Sequence, residues 1–87
     1  MGYYRIKYRA SVEKEIRRIP KKFINAVVTR IDALTQNPFP SGCKKLAQEE
    51  LYRIRIGDYR IVYSVDTISK MVTIERIKHR KDIYRKL

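Results

Sequence analysis

The sequence is poor in the residues that build metal centres and covalent crosslinks. It has one cysteine, Cys43, and one histidine, His79, so a chain of 87 residues can form no internal disulfide and cannot supply the ligands of a structural zinc site. Acids are also scarce: nine Asp and Glu stand against 21 Lys and Arg, for a net charge of +12. Such an excess excludes a cationic partner and favours nucleic acid, an anionic membrane or an acidic protein. Tryptophan is absent, and glycine and proline occur three times each. No stretch of 18 apolar residues could span a bilayer, and the opening MGYYRIKYR has neither the apolar core nor the cleavage site of a secretory signal. Met1-Gly2 is not followed by the Ser or Thr that myristoylation favours at position 6, which is Ile6. The expectation is a cytoplasmic protein with no membrane attachment.

What is present is a folded domain. Hydrophobic residues make up 44% of the chain, too many for a disordered polycation. The length suits one domain, residues 1–87, with a single modest core that buries about 60 to 65% of the unfolded surface. Cationic residues run from Arg5 to Lys86, so the charge decorates the fold rather than a detachable tail.

Hydrophobic spacing sets the expected elements. Tyr4, Ile6 and Tyr8 alternate with Arg5, Lys7 and Arg9, as in a half-buried strand. Ser11 reads as a helix N-cap, with Glu13 and Glu15 in the first turn and Val12, Ile16 and Ile19 as the apolar stripe. Pro20 ends this helix and suits the start of a second, whose stripe is Phe23, Val27, Ile31 and Leu34 with Ile24 and Val28 beside them. Asn37-Pro38 closes that helix, and turn chemistry continues to Gly42. Two strands follow Lys44-Lys45-Leu46 around a Gly57-Asp58 turn, and a third runs from Met71 to Lys78 after a turn at Asp66 to Lys70. In the third, Arg76 falls in phase with Val72 and Ile74 while Ile77 falls out of phase, which predicts a bulge or a two-sided environment. Arg80 to Leu87 reads as a short helix or a tail. The order β-α-α-β-β-β predicts an α+β domain with two N-terminal helices packed on an antiparallel sheet.

The strand pair 51–65, LYRIRIGDYRIVYSV, carries the most chemistry. Strand period puts Tyr52, Ile54 and Ile56 on one face with Arg53 and Arg55 on the other; across the turn, Tyr59, Ile61, Tyr63 and Val65 share a face and Arg60 opposes them. One side suits a core and the other an anion such as phosphate. Taken alone, Arg53 and Arg55 also fit an ordinary solvated strand face, and Tyr84 fits packing of the C-terminus on the sheet. Arg60 belongs to the central strand of a meander, so without a phosphate its charge needs a partner such as Asp58 or Glu75.

Two segments in order carry a resemblance. Leu51-Tyr52-Arg53-Ile54-Arg55-Ile56-Gly57-Asp58-Tyr59-Arg60-Ile61-Val62-Tyr63 is similar to a basic strand followed by a YR-hydrophobic-hydrophobic-Y strand, and Lys78-His79-Arg80-Lys81-Asp82-Ile83-Tyr84 to an HRxDhY ending. After a strand and a helix pair, these resemble the RelE/ParE toxin superfamily and, within it, the RelE-like mRNA interferases. The resemblance implies a toxin that enters the ribosomal decoding site, cuts mRNA there by metal-independent transesterification without a cofactor, and is neutralised by a cognate antitoxin. It implies that Arg60 and Arg80 clamp the scissile phosphate and that Tyr84 stacks on a base or takes part in proton transfer. Where relatives often carry lysines, this chain has Arg53 and Arg55, which do not deprotonate. Histidine is the side chain best able to give and take protons at physiological pH, so His79 is the expected proton carrier, with Arg53, Arg55, Lys44, Lys45, Lys78 and Lys81 binding RNA. Expected partners are mRNA on the ribosome, rRNA, and an acidic RelB-like antitoxin in a hetero-oligomer. Two other functions fit the same residues: a ParE-like poison of DNA gyrase, and a basic RNA-binding module without enzymatic activity.

Overall fold

A computed structural model describes residues 3–46 and 50–79. The element order is β1 (Arg5–Tyr8), α1 (Ala10–Arg17), α2 (Lys21–Ala33), β2 (Lys44–Lys45), β3 (Tyr52–Ile56), β4 (Tyr59–Asp66) and β5 (Met71–His79). The strands form one sheet in the order β1-β5-β4-β3-β2. The α+β expectation holds, with α1 lying against β5 and α2 against β3. Two features differ from it. The sheet is mixed, because β1 pairs parallel to β5 (Ile6 opposite Val72, Tyr8 opposite Ile74) after the two-helix crossover carries the chain away from it. Lys44-Lys45 also adds a short fifth strand at the far edge. The segment from Arg80 to Leu87, expected as a helix or tail, lies outside the described residues.

The core is the set of apolar positions that strand and helix periods bring to one side of the sheet. Val12, Ile19, Val27, Ile31 and Leu34 from the helical half pack on Ile54, Ile61, Tyr63, Val72, Ile74 and Ile77 from the strands. Each such aliphatic side chain, fully buried, contributes about 1.5 to 3 kcal/mol. Phe23 departs from the expected stripe: it is 43% exposed at the start of α2, where it meets the ring of Tyr59 at 6.1 Å under the ammonium of Lys22.

The ends of the elements are set locally. Helix α1 begins at Ala10, one residue before the expected Ser11 cap; Arg9 is the extended N-cap residue, and no side chain caps the helix. The tie of β1 to β5 explains this, because Arg9 N–H donates to the Ile74 carbonyl and the chain must turn at once. Of the two acids expected in the first turn, only Glu13 is there; Glu15 lies one turn on. Gly57 has φ +57 in the two-residue β3–β4 turn, which is why glycine stands at its first position. The bulge predicted near Arg76 is present: Val62 pairs with Arg76 but Tyr63 pairs with Ile74, leaving Glu75 as the extra residue in β5. That insertion returns Ile77 to the core side and sends Arg76 away from it.

Tyr63 anchors the long α2–β2 connection. Its ring is fully buried beside that of Tyr52, and its hydroxyl donates to the Pro38 carbonyl at 2.7 Å. Burial, then the neighbouring Cys43 and Tyr52, push its hydroxyl well above the ordinary value of 10.0. Tyr63→Phe keeps the packing but leaves a buried carbonyl without its donor, and should cost about 1 kcal/mol in urea denaturation, against about 3 to 5 kcal/mol for Tyr63→Ala. The raised value also sets a sign. The unfolded tyrosine ionises from about pH 10 upward while the folded one stays neutral, so this group's contribution is complete below pH 10 and lost as pH rises beyond it. Denaturation midpoints should therefore fall less steeply above pH 10 in Tyr63→Phe than in the unaltered protein.

Candidate nucleic-acid face of the sheet

Strand alternation and pairing register build the site. On the face turned away from the helices, Arg55 stands opposite Arg60, and Arg60 stands opposite Lys78, a cationic row across β3, β4 and β5. A second row runs Lys44, Arg53, Val62, Arg76 across β2 to β5. Directly opposed residues on neighbouring strands lie about 4.5 to 5.5 Å apart at Cβ, and like charges there destabilise the sheet. No acidic residue occupies either row. Of the acids near them, Glu75 is committed elsewhere, accepting from Arg9 Nη1 at 2.7 Å and from the Ser64 hydroxyl at 2.8 Å, while Glu15 meets the end of the first row, with an oxygen 3.7 Å from Lys78 Nζ. Asp58 and Glu75 thus form no ion pair with Arg60 among the described residues.

Arg60 is the centre of this arrangement. Its Nε is buried without a hydrogen-bond partner, an arrangement native proteins rarely tolerate unless a ligand completes it. Partial desolvation, and then the charges of Arg55 and Arg60, lower the Arg53 guanidinium from its ordinary value. Arginine still stays cationic at any physiological pH. Apart from Lys78, which Glu15 approaches, the rows concentrate charge that no ion pair neutralises among the described residues, and planar guanidinium groups suit the oxygens of a phosphodiester.

The structure divides the residues singled out from the sequence. Arg53, Arg55, Arg60, Lys44 and Lys78 share the cationic face. Lys45 does not: it pairs with Tyr52 on the helix side and makes an ion pair with Glu50 at 3.6 Å. His79, the expected proton carrier, does not either, so the imidazole stands apart from the guanidinium groups. His79 pairs with Tyr59, and its ring meets that ring edge-on at 5.0 Å. Tyr59 in turn touches Phe23 of α2, so this pair lies on the helix side. The reason is the two-residue strand period, which sends consecutive Lys78 and His79 to opposite faces. Arg80, Lys81 and Tyr84 lie outside the described residues.

Sequence reasoning missed Arg76 as a member of the face and Glu15 as a neighbour of Lys78. The phase slip between Arg76 and Ile77 was the available signal for the first. Nothing local announced the second, because Glu15 and Lys78 are 63 positions apart. Among the described residues no three His, Cys, Asp or Glu side chains gather to hold a metal ion, and no helix is long and apolar enough to cross a membrane.

Comparison with known proteins finds relatives along nearly the whole chain. The family model described as "ParE toxin of type II toxin-antitoxin system, parDE" matches residues 6–84. Toxin RelG of Mycobacterium tuberculosis is 30% identical over 86 residues, covering 95% of this chain and 98% of that protein. Toxin RelE of the same organism is 34% identical over 85 residues, covering 94% and 87%. Among solved structures, the archaeal RelE–RelB complex from Pyrococcus horikoshii OT3 superposes with a TM-score of 0.81 at 33% identity, covering 90% of this chain and 96% of the matched one. By these matches the chain belongs to the RelE/ParE family of toxins from type II toxin–antitoxin systems.

Proposed function

We propose that this toxin is an endoribonuclease that cuts mRNA in the decoding site of the ribosome. The observation that carries the reading is the row Arg55, Arg60, Lys78 with the Arg60 Nε buried and unpartnered. A row of opposed cations is unfavourable in the free protein, and binding a phosphodiester relieves it.

The chemistry is transesterification. The ribose 2′-oxygen forms a bond to its own 3′ phosphorus as the bond from phosphorus to the 5′-oxygen breaks, leaving a 2′,3′-cyclic phosphate and a 5′-OH. One proton leaves the 2′-OH and one arrives at the departing 5′-oxygen. Arg60, with Arg80 carried over from the family resemblance, holds the phosphate oxygens through the doubly charged transition state. Arg53, Arg55, Lys44 and Arg76 bind neighbouring phosphates, and Lys81 keeps the RNA-binding role expected from the sequence. Lys78 replaces His79 as the proton donor: an ammonium yields a proton as a guanidinium does not, and its register with Arg60 supports this role. Tyr84 either stacks on a base or receives the 2′ proton, and Tyr84→Phe separates the two, since it stacks without ionising. No metal or cofactor enters these steps.

The other partner is an acidic antitoxin of the RelB type in a hetero-oligomer. A net charge of +12 and the similarity to a toxin solved as a RelE–RelB complex support it. Work on the ribosome would place the toxin in the cytoplasm.

Primer extension on mRNA in a reconstituted translation reaction tests the proposal. Breaks phased with codons are expected; DNA damage signalling without breaks would indicate a gyrase poison, and RNA binding without either would indicate a non-enzymatic module. Arg60→Ala should lower the cleavage rate by about 10²- to 10³-fold. His79→Ala should cut at close to the unaltered rate, and a loss comparable to that of Arg60→Ala would restore His79 to the reaction. In a separate measurement, Arg53→Ala or Arg55→Ala should each reduce the salt slope of single-stranded RNA binding by about 0.7.

A further inference from the structure

The β5 strand loses its neighbour halfway. Strand β1 pairs with it only as far as Tyr8 opposite Ile74, so residues beyond Ile74 present their outer edge to α1 rather than to a strand. A backbone N–H at such an edge needs an acceptor. Glu15, from the second turn of α1, supplies it: its Oε1 accepts from Ile77 N–H at 2.9 Å. Its other oxygen lies 3.7 Å from Lys78 Nζ. One carboxylate thus holds the backbone of Ile77 and the side chain of the residue that follows, and Lys78 stands opposite Arg60 in the cationic row.

We infer that Glu15 is a positioning residue for the nuclease reaction, fixing the end of β5 and holding the Lys78 side chain in its place in the cationic row. This rests on the proposed cleavage reading. Three features favour it over a plain surface ion pair. In a chain with only nine acids, Glu15 sits where a carboxylate meets the most crowded cationic strip. Its side chain is 24% exposed, less than the 40% of Lys78, so it is held rather than waving in solvent. The hydrogen bond to Ile77 N–H then anchors it independently of the charge pair, whose own strength in such an exposed setting is small. Electrostatically, the Glu15 carboxylate offsets the repulsion that Arg55 and Arg60 exert on the Lys78 side chain, and so keeps the proposed proton donor in the row where the 5′-oxygen departs.

The two contacts are separable by mutation. In Glu15→Gln the side-chain carbonyl still accepts from Ile77 but the charge is gone; in Glu15→Ala both are lost. Cleavage kinetics on programmed ribosomes should show kcat reduced about 10-fold in Glu15→Gln and about 100-fold in Glu15→Ala, with KM little changed. Hydrogen exchange should find the Ile77 amide protected in Glu15→Gln and faster in Glu15→Ala. An unreduced kcat in Glu15→Gln would overturn the inference, as would unchanged Ile77 exchange in Glu15→Ala. Should the unaltered protein fail to cut mRNA, the cleavage reading fails by itself. Hydrogen exchange at the Ile77 amide of the free toxin still decides the positioning role of Glu15: faster exchange in Glu15→Ala than in Glu15→Gln supports it, and equal exchange in the two refutes it.

Discussion

Everything in this protein turns on β4 being paired on both sides. Its antiparallel register with β3 and β5 aligns Ile54, Ile61 and Ile77 on the helix side, and in the next position aligns Arg55, Arg60 and Lys78 on the other. A shift of one residue in either pairing would exchange the two sets, burying guanidinium groups among the helices and exposing the core. The apolar face thereby pins the cationic one. The sheet can hold three opposed cations in a row because hydrophobic burial on its reverse side outweighs their repulsion.

The same logic explains the bulge at Glu75. Without it β5 would keep a single alternation, and Arg76 would point into the core that Val72 and Ile74 occupy. One inserted residue re-phases the strand, so that Ile77 is buried and Arg76 and Lys78 both join the cationic face. The bulged residue is itself engaged, accepting from Arg9 and Ser64, which removes its carboxylate from the neighbourhood of Arg60. The two acids that border this surface, Glu75 and Glu15, are each engaged with a partner. The surface keeps a positive excess, suited to a polyanion and to an acidic protein that masks it.

Membership in the RelE/ParE toxins gives these features a context without supplying their details. Where relatives often carry lysines, this chain presents Arg53 and Arg55, which hold phosphate well and exchange protons poorly. On the proposed cleavage reading, proton transfer then falls to other groups, and the face each residue occupies decides which: the His79 ring meets Tyr59 on the helix side, while Lys78 stands opposite Arg60 in register.

Much of this was legible from residue order. Alternation in 51–65 separated Ile54 and Ile61 from Arg53, Arg55 and Arg60, Gly57 marked the turn, and the phase slip at Arg76 and Ile77 announced the bulge, because period-two patterning is a local property. The α2 stripe of Val27, Ile31 and Leu34 was equally plain, whereas Phe23, in the same stripe, proved half exposed because it lies at the helix end. Three things were decided only by the fold. Parallel pairing of β1 with β5 depends on where the two-helix crossover returns the chain. The separation of His79 from Arg60 depends on the register of β5 with β4, which the bulge resets. The meeting of Glu15 with Ile77 and Lys78 depends on β1 ending early enough to admit α1 to the edge. Composition and periodicity, in short, determine which side chains share a face of their own strand or helix; which strands lie side by side, and what stands opposite Arg60, follows from long-range pairing that no local pattern encodes.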